Sequence, residues 1–364
     1  MKSALIILNL LFLVSVFTGC QEKRHHQNKS DLMIGIKVYN IDRELKALFE
    51  EWDDLGINAV FASPSVFNDQ FTALAGKHGI QTFIILPVFY DPEALQDQPD
   101  LYAITDKGEK AIDDWVEFVC PSREDYRKTK IEYISQLTQD LDPDGISLDF
   151  IRYFCFWEKV YPDRQPDSIP NTCFCPVCLE KFQSEKNISI PGSLKNVNDI
   201  AGWIMEYHKT ELIDWKCNLI TLMAGDIVSE VKKIKPDIKV NIHVVPWRQY
   251  DFDNAIRRIV AQDFSALSEY ADIISPMTYS HMVKREPAWI LSVVEDITTQ
   301  VNCKVIPSIQ VNEAYLTNVL SAEEFEKTLT EALKPPSSGV FFWSWEQLEK
   351  RPEKKEVIKK VLSF

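Results

Sequence analysis

Eight short β-prone runs, each followed by a stretch of helical periodicity, recur along this chain and leave few folds open to it. The runs are Met33–Tyr39, Ala59–Ser63, Thr82–Phe89, Gly145–Tyr153, Val240–Pro246, Ile273–Tyr279, Val305–Val311 and Val340–Trp345. Between them, Asp42–Leu55 places Leu45, Leu48 and Phe49 on one helical face and stops before Gly56, and Val66–His78 stops at Gly79. Ser122-x-x-Asp125 and Ser321-x-x-Glu324 have the form of capping boxes at the heads of Ser122–Leu141 and Ser321–Leu333. A helical region around Ala201–Lys235 and a closing helix Glu353–Leu362 complete the pattern. Strands alternating with helices require right-handed crossovers and a parallel sheet. Eight such repeats predict a (β/α)8 TIM barrel, with a doubly wound open sheet as the alternative. Long insertions follow runs three and four (Asp91–Pro121, with a turn at Asp106–Gly108, and the cysteine-rich Phe154–Leu194), and both would roof the same mouth.

The first residues belong to a different regime. Lys2, the apolar Ala4–Val16 and Phe17-Thr18-Gly19-Cys20 read as a secretory signal, residues 1–19, with Cys20 directly after the cleavage site. This arrangement resembles the lipobox of bacterial lipoproteins, and the resemblance implies acylation of Cys20. Residues 20–30 are then a lipidated flexible tether, and 31–364 form a single domain held at the cell envelope, its only membrane contact the lipid. The apolar run is too short to span a bilayer. With 40 basic and 54 acidic residues the formal charge is 40 − 54 = −14. No basic cluster stands out, which argues against nucleic acid. Nine Trp and twelve Tyr suit uncharged sugar rings.

The segment Asp144-Gly-Ile-Ser-Leu-Asp149-Phe-Ile-Arg152-Tyr153 carries the strongest functional signal. A buried strand ending on a carboxylate must neutralise it, here through Arg152, or open it into a polar site. In a parallel barrel the chemistry sits at strand C-termini. The other strand ends add Tyr39, Asp91, Arg152, Tyr153, His243, Trp247, Tyr279, Gln310 and Trp343 as candidate substrate-binding residues, and Glu346 as a second carboxyl beside Trp343 and Trp345. Asp91 and Glu313 are rivals to Glu346, whereas Asp272 precedes its strand and belongs to the opposite, stabilising face. No cofactor is expected. A metal-dependent hydrolase built on His243 and Asp149 lacks the usual HxH or HxxEH spacing.

After Cys20, seven cysteines remain: Cys120, Cys155, Cys173, Cys175, Cys178, Cys217 and Cys303. The dense group near 155–178 admits a structural zinc at Cys155, Cys173, Cys175 and Cys178, a disulfide staple, or packed reduced thiols.

Together, "DGISLDFIRY", "VCPSREDYRK", "ISPMTYSH" and "GVFFWSW" resemble poorly characterised bacterial (β/α)8 glycoside hydrolase-like families, over residues 33–346. The resemblance implies a sugar-cleaving enzyme, an oligo- or polysaccharide substrate, and a catalytic Asp149. Strands four, six and eight are also similar to glycoside hydrolase family 18. There Ser147 and Ile151 stand where that family has its middle Asp and catalytic Glu, so its substrate-assisted mechanism is not expected here. Hydrolysis of a glycosidic bond with Asp149 as nucleophile or base is therefore one reading. A lipid-anchored carbohydrate-binding protein on an inactive barrel is the other.

Overall fold

The computed structural model describes residues 32–363; the expected signal and the Cys20 lipid site lie outside them. Nine strands form one curled, all-parallel sheet: β1 (Met33–Val38), β2 (Ala59–Ala62), β3 (Gln81–Pro87), β4 (Gly145–Asp149), β5 (Lys239–Val244), β6 (Ile273–Pro276), β7 (Lys304–Val305), β8 (Ser308–Gln310) and β9 (Gly339–Trp343). All eight expected runs are present. The seventh is split in two by Ile306-Pro307, since proline has no N–H to give the ladder. The sheet order runs from β8 through β9, β1, β2, β3, β4, β5 and β6 to β7. Its two ends thus meet in residues 304–310: β7 pairs with β6, β8 pairs with β9, and Met277 bridges Ser308 in parallel.

Helices follow the strands: α1 (Leu45–Asp54), α2 (Asp69–His78), α3 (Glu124–Leu141), α4 (Lys209–Ile234), α5 (Trp289–Thr298), α6 (Ala322–Ala332) and α7 (Pro352–Leu362). Their ends follow local chemistry. Asn68 Oδ1 accepts from Phe71 N at the head of α2, and Gly79 takes the left-handed φ of +66° that ends it. Ser321 Oγ caps α6 by accepting from Glu324 N at 3.1 Å, as its spacing predicts. The matching expectation for Ser122 does not hold: α3 starts at Glu124 with no side-chain cap, and Ser122 Oγ instead lies 3.1 Å from Cys178 Sγ. Between β5 and β6 only the short helices Ala255–Arg258 and Phe264–Ser268 appear.

Two apolar layers hold the sheet. The outer one packs strands against helices, with Leu48, Phe49, Trp52, Ile84 and Ile358 among its buried members. The inner one is a compact plug of Ala59, Phe61, Phe83, Ile85, Ile273, Ile306 and Phe341. Phe61 stacks on Phe83 (centroids 4.5 Å, 18° apart) and meets Phe341 at 4.2 Å. Glycines make room for it: a Cβ on Gly145 would come within 2.3 Å of the Phe83 ring, and one on Gly35 within 2.5 Å of Phe341. The space enclosed by the curled sheet is therefore filled below the mouth.

Segment 88–123 leaves the C-terminal end of β3, and segment 150–208 leaves that of β4. The first contains the turn at Asp106–Gly108, where Gly108 has φ +83° and Ile104 bridges Lys110, and the hairpin Ile112–Asp113/Val116–Glu117. Trp343 and Trp345, two residues apart, lie in different surroundings. Trp343 ends β9, whereas Trp345 opens the helical turn Trp345–Leu348 and packs edge-on against Trp52 of α1 (5.8 Å, 88°) in the outer layer.

Candidate active site

At the C-terminal ends of the strands lie two cavities that share Tyr39, Asp149 and Phe150: an inner one of about 430 Å³ and an outer cleft of about 1190 Å³. Strand geometry places the carboxylate between them. Asp149 is the last residue of β4, and Phe150 turns the chain off the strand line with φ +50° while its N–H donates to Asp149 Oδ1 at 2.7 Å. That break carries Arg152 out of the strand and into the wall of the inner cavity.

Lys37 of β1 is buried and lines the same inner cavity as Asp149. Burial draws the Lys37 ammonium down to about 8, and the charge of Asp149 opposes that fall. Lys37 Nζ lies 3.5 Å from His243 Nδ1 and donates to the Tyr279 hydroxyl at 3.4 Å. Beneath it, His243 Nε2 meets Ser147 Oγ at 2.9 Å, Asn241 donates to Ser147 Oγ at 2.8 Å, and Ser275 Oγ donates to Asn241 Oδ1 at 2.6 Å. Burial, then Lys37, draws His243 down to about 3, so it stays neutral and serves the interior network. It does not line either cavity.

Glu158 is the second carboxyl of the inner cavity, and sequence reasoning passed over it. It sits in the 3-10 turn Trp157–Lys159 of the segment after β4, 9% exposed, with Oε2 lacking a hydrogen-bond partner. Burial raises it to about 7; the Arg152 cation opposes this and the Asp149 charge adds to it. The available signal was weak: one acid flanked by Trp157 and Lys159 in a stretch already expected to roof the mouth.

Arg152 makes no ion pair with Asp149 within 4 Å among the described residues. Its Nη1 donates to the carbonyls of Tyr153 (3.1 Å) and Cys155 (2.9 Å), and its guanidinium lies 4.8 Å from the Phe118 ring centre. Lys37, Arg152, Asp149 and Glu158 instead share one cavity without a direct ion pair among them: the Asp149 charge acts on both Lys37 and Arg152, and Arg152 and Glu158 act on each other.

Aromatic residues complete the walls. Trp343 stacks on Tyr279 (4.8 Å, 21°), and Trp157 packs against Tyr279 at 5.9 Å. Tyr39 lines both cavities and leaves 41% of its surface exposed. Tyr90 stacks on Phe150 at 4.8 Å on the outer side. Above the inner cavity, Trp115 of the hairpin donates its indole N–H to the Tyr315 hydroxyl at 2.8 Å, which joins the segment after β3 to the one after β8.

Several expected site residues lie elsewhere. Glu346 Oε1 accepts the backbone N–H groups of Tyr39 and Asn40, and the residue lines neither cavity; it fastens the end of β1 to the turn after β9. Gln310 spends both ends of its amide on backbone, accepting from Met282 N (2.9 Å) and donating to Asn312 O (2.7 Å). Trp247 is buried against Phe252, and the ring of Tyr153 lies under Lys216 Nζ at 4.5 Å; neither lines the inner cavity. Asp91 does line the outer cleft, where it pairs with Lys130 at 2.6 Å and accepts from Tyr126 at 3.0 Å. Burial pushes its carboxyl up, but Lys130 and Tyr126 prevail and hold it low, which unsuits it to donate a proton. Glu313 lies 3.9 Å from Arg351. Asp272 accepts from Val240 N at the N-terminal end of the strands.

No protein-family model matches the chain, and no curated protein matches its sequence. Solved structures do share its fold. The PgaB (BpsB) glycoside hydrolase domain from Bordetella bronchiseptica superposes with a TM-score of 0.67 at 14% identity, over 92% of this chain and 99% of that one. The fold is one that glycoside hydrolases share. The β-galactosidase from the psychrophilic Marinomonas ef1 gives 0.68 at 11% identity, over 91% of this chain and 59% of that one. The β-galactosidase from the haloarchaeon Halorubrum lacusprofundi gives 0.62 at 11%, over 86% and 53%. The chain therefore spans a little over half of these two enzymes and nearly the whole of the PgaB domain.

Proposed function

We propose that this protein hydrolyses a glycosidic bond, with Asp149 as nucleophile or base and Glu158 as general acid. The observation that carries the reading is the presence in one cavity of a strand-end carboxylate, Lys37 and a buried carboxyl raised to about 7. Glycoside hydrolysis calls for such a divided pair, one acid holding its proton while the other acts as an anion. Glu158 gives its proton to the bridging oxygen as the bond from that oxygen to the anomeric carbon breaks. Asp149 either attacks the anomeric carbon or takes a proton from the water that does. Arg152, whose charge acts on Glu158, stabilises the carboxylate that proton transfer leaves behind. Tyr39 and Trp343 supply ring faces for the sugar, Tyr279 backs Trp343 from behind, and the outer cleft with Tyr90 extends the site toward a longer glycan.

Glycoside hydrolases among the structural neighbours support the same reading at the level of fold. Within it we take the sheet, whose two ends share residues 304–310, to be a closed (β/α)8 barrel, and residues 31–364 to be one domain bearing the cysteine-rich insertion 154–194. Cys20 would carry the lipid and residues 20–30 the tether, which sets the site at the cell envelope before an oligo- or polysaccharide.

The reading is tested by incubating the purified protein with a panel of oligosaccharides and following reducing ends. Turnover by the parent that Asp149→Asn abolishes, with glycan binding retained, is the expected result. Binding without turnover in the parent would instead make the molecule a carbohydrate-binding protein.

A further inference from the structure

We infer that Cys120, Cys173, Cys175 and Cys178 hold a structural zinc ion. All four Sγ atoms lie within 4.8 Å of one another and all four residues are buried. Cys120 Sγ is 3.5 Å from Cys175 Sγ and 3.3 Å from Cys178 Sγ. A tetrahedral zinc with Zn–S bonds of about 2.3 Å sets its sulfurs roughly 3.8 Å apart. The quartet is therefore already gathered at close to the spacing of a bound ion. All four are free thiols, and Cys120 stands about equally near two partners, where a staple would single out one.

The surroundings suit thiolates. Ile104 N donates to Cys173 Sγ at 3.2 Å, and Cys178 N donates to Cys175 Sγ at 3.4 Å where Cys175-Pro-Val-Cys178 opens the helix Pro176–Lys186. Ser122 Oγ lies 3.1 Å from Cys178 Sγ, which gives the hydroxyl displaced from the expected capping box a role. Such outer contacts orient ligands and offset their charge. Bound as four thiolates around Zn²⁺, the centre would carry two negative charges. Lys216, buried and without a carboxylate partner among the described residues, lies over Tyr153 next to this cluster and gains an anion to face.

The ligand set differs from the one the sequence spacing favours. Cys155 stays outside it, its carbonyl engaged by Arg152, and Cys120 comes in from the segment after β3. The ion would thus tie segment 88–123 to segment 150–208. Phe118 precedes one ligand, and Glu158 lies in the stretch that leads to the other three, so the tie bears on both flanks of the inner cavity. This inference does not depend on the hydrolase reading.

The test is metal analysis of the full chain purified without chelator from zinc-supplemented medium. About one zinc per chain is expected. Cys120→Ser and Cys173→Ser should lose nearly all of it, and Cys155→Ser and Cys217→Ser should keep it. Should the ligand variants fail to fold, the parent refolded with cobalt(II) decides: the absorption of a tetrahedral cobalt–thiolate centre is expected. Less than a tenth of a zinc per chain, loss of zinc in Cys155→Ser, another metal in its place, or an intact mass lower by the four hydrogens of two disulfides would each overturn the assignment.

Discussion

Glu158 and Asp149 share one cavity although they come from different kinds of structure. Asp149 ends a buried strand, and Glu158 sits in a 3-10 turn beyond it, with Arg152 between them in the chain. The strand fixes one carboxyl, and the packing of the following segment fixes and desolvates the other. Burial in that segment raises the Glu158 carboxyl to about 7.

If Glu158 is the acid, activity falls as pH rises through about 7, because its proton is then lost. The kcat profile of the parent should show that basic limb. Glu158→Gln should lose it and reduce kcat on natural glycans by roughly 10²–10⁴-fold.

The same group makes stability depend on pH. Its folded-state pKa of about 7 stands above the ordinary 4.5. Between those values the folded chain holds a proton that the unfolded chain has released, so stability declines as pH rises through that window. Above pH 7 the cost reaches about 3 kcal/mol. Urea denaturation should find Glu158→Gln more stable than the parent at pH 8 and about equal at pH 4.

The phenylalanine plug holds the strands in register below the mouth. Phe83→Ala removes the ring that Phe61 stacks on and should cost about 3–5 kcal/mol. Gly145→Ala drives a methyl into that ring and into Lys239 O, and should destabilise by about 1–3 kcal/mol. Both are read as shifts of the urea midpoint, with the slope unchanged.

The Trp115–Tyr315 hydrogen bond joins two loops over the inner cavity. Trp115→Ala should raise KM several-fold and leave kcat within about threefold, the signature of a group that binds ground and transition states alike. A fall in kcat with KM constant would place Trp115 in the chemistry instead.

The sheet was legible in the sequence because its information is local. Apolar runs, glycine stops and the Ser321 cap reappear with boundaries shifted by a few residues. Strand ends were less informative, since ending a strand does not aim a side chain: Glu346, Gln310 and Trp247 lie near the rim and spend themselves on backbone or packing. The capping pattern at Ser122 misled because a tertiary contact to Cys178 outcompeted it. Glu158 and the place of Cys120 among the cysteines arise from loops folding against each other. No periodicity records such contacts.

The most direct test compares the parent, Glu158→Gln and Asp149→Asn on two glycosides of the same sugar, one with a poor alkyl leaving group and one with a good nitrophenyl leaving group. A good leaving group needs no proton. Glu158→Gln should therefore lose the alkyl glycoside and keep most activity on the nitrophenyl one, while Asp149→Asn loses both. Equal losses on the two substrates in Glu158→Gln, or full activity in Asp149→Asn, would contradict the assignment of acid and nucleophile or base on which the account rests.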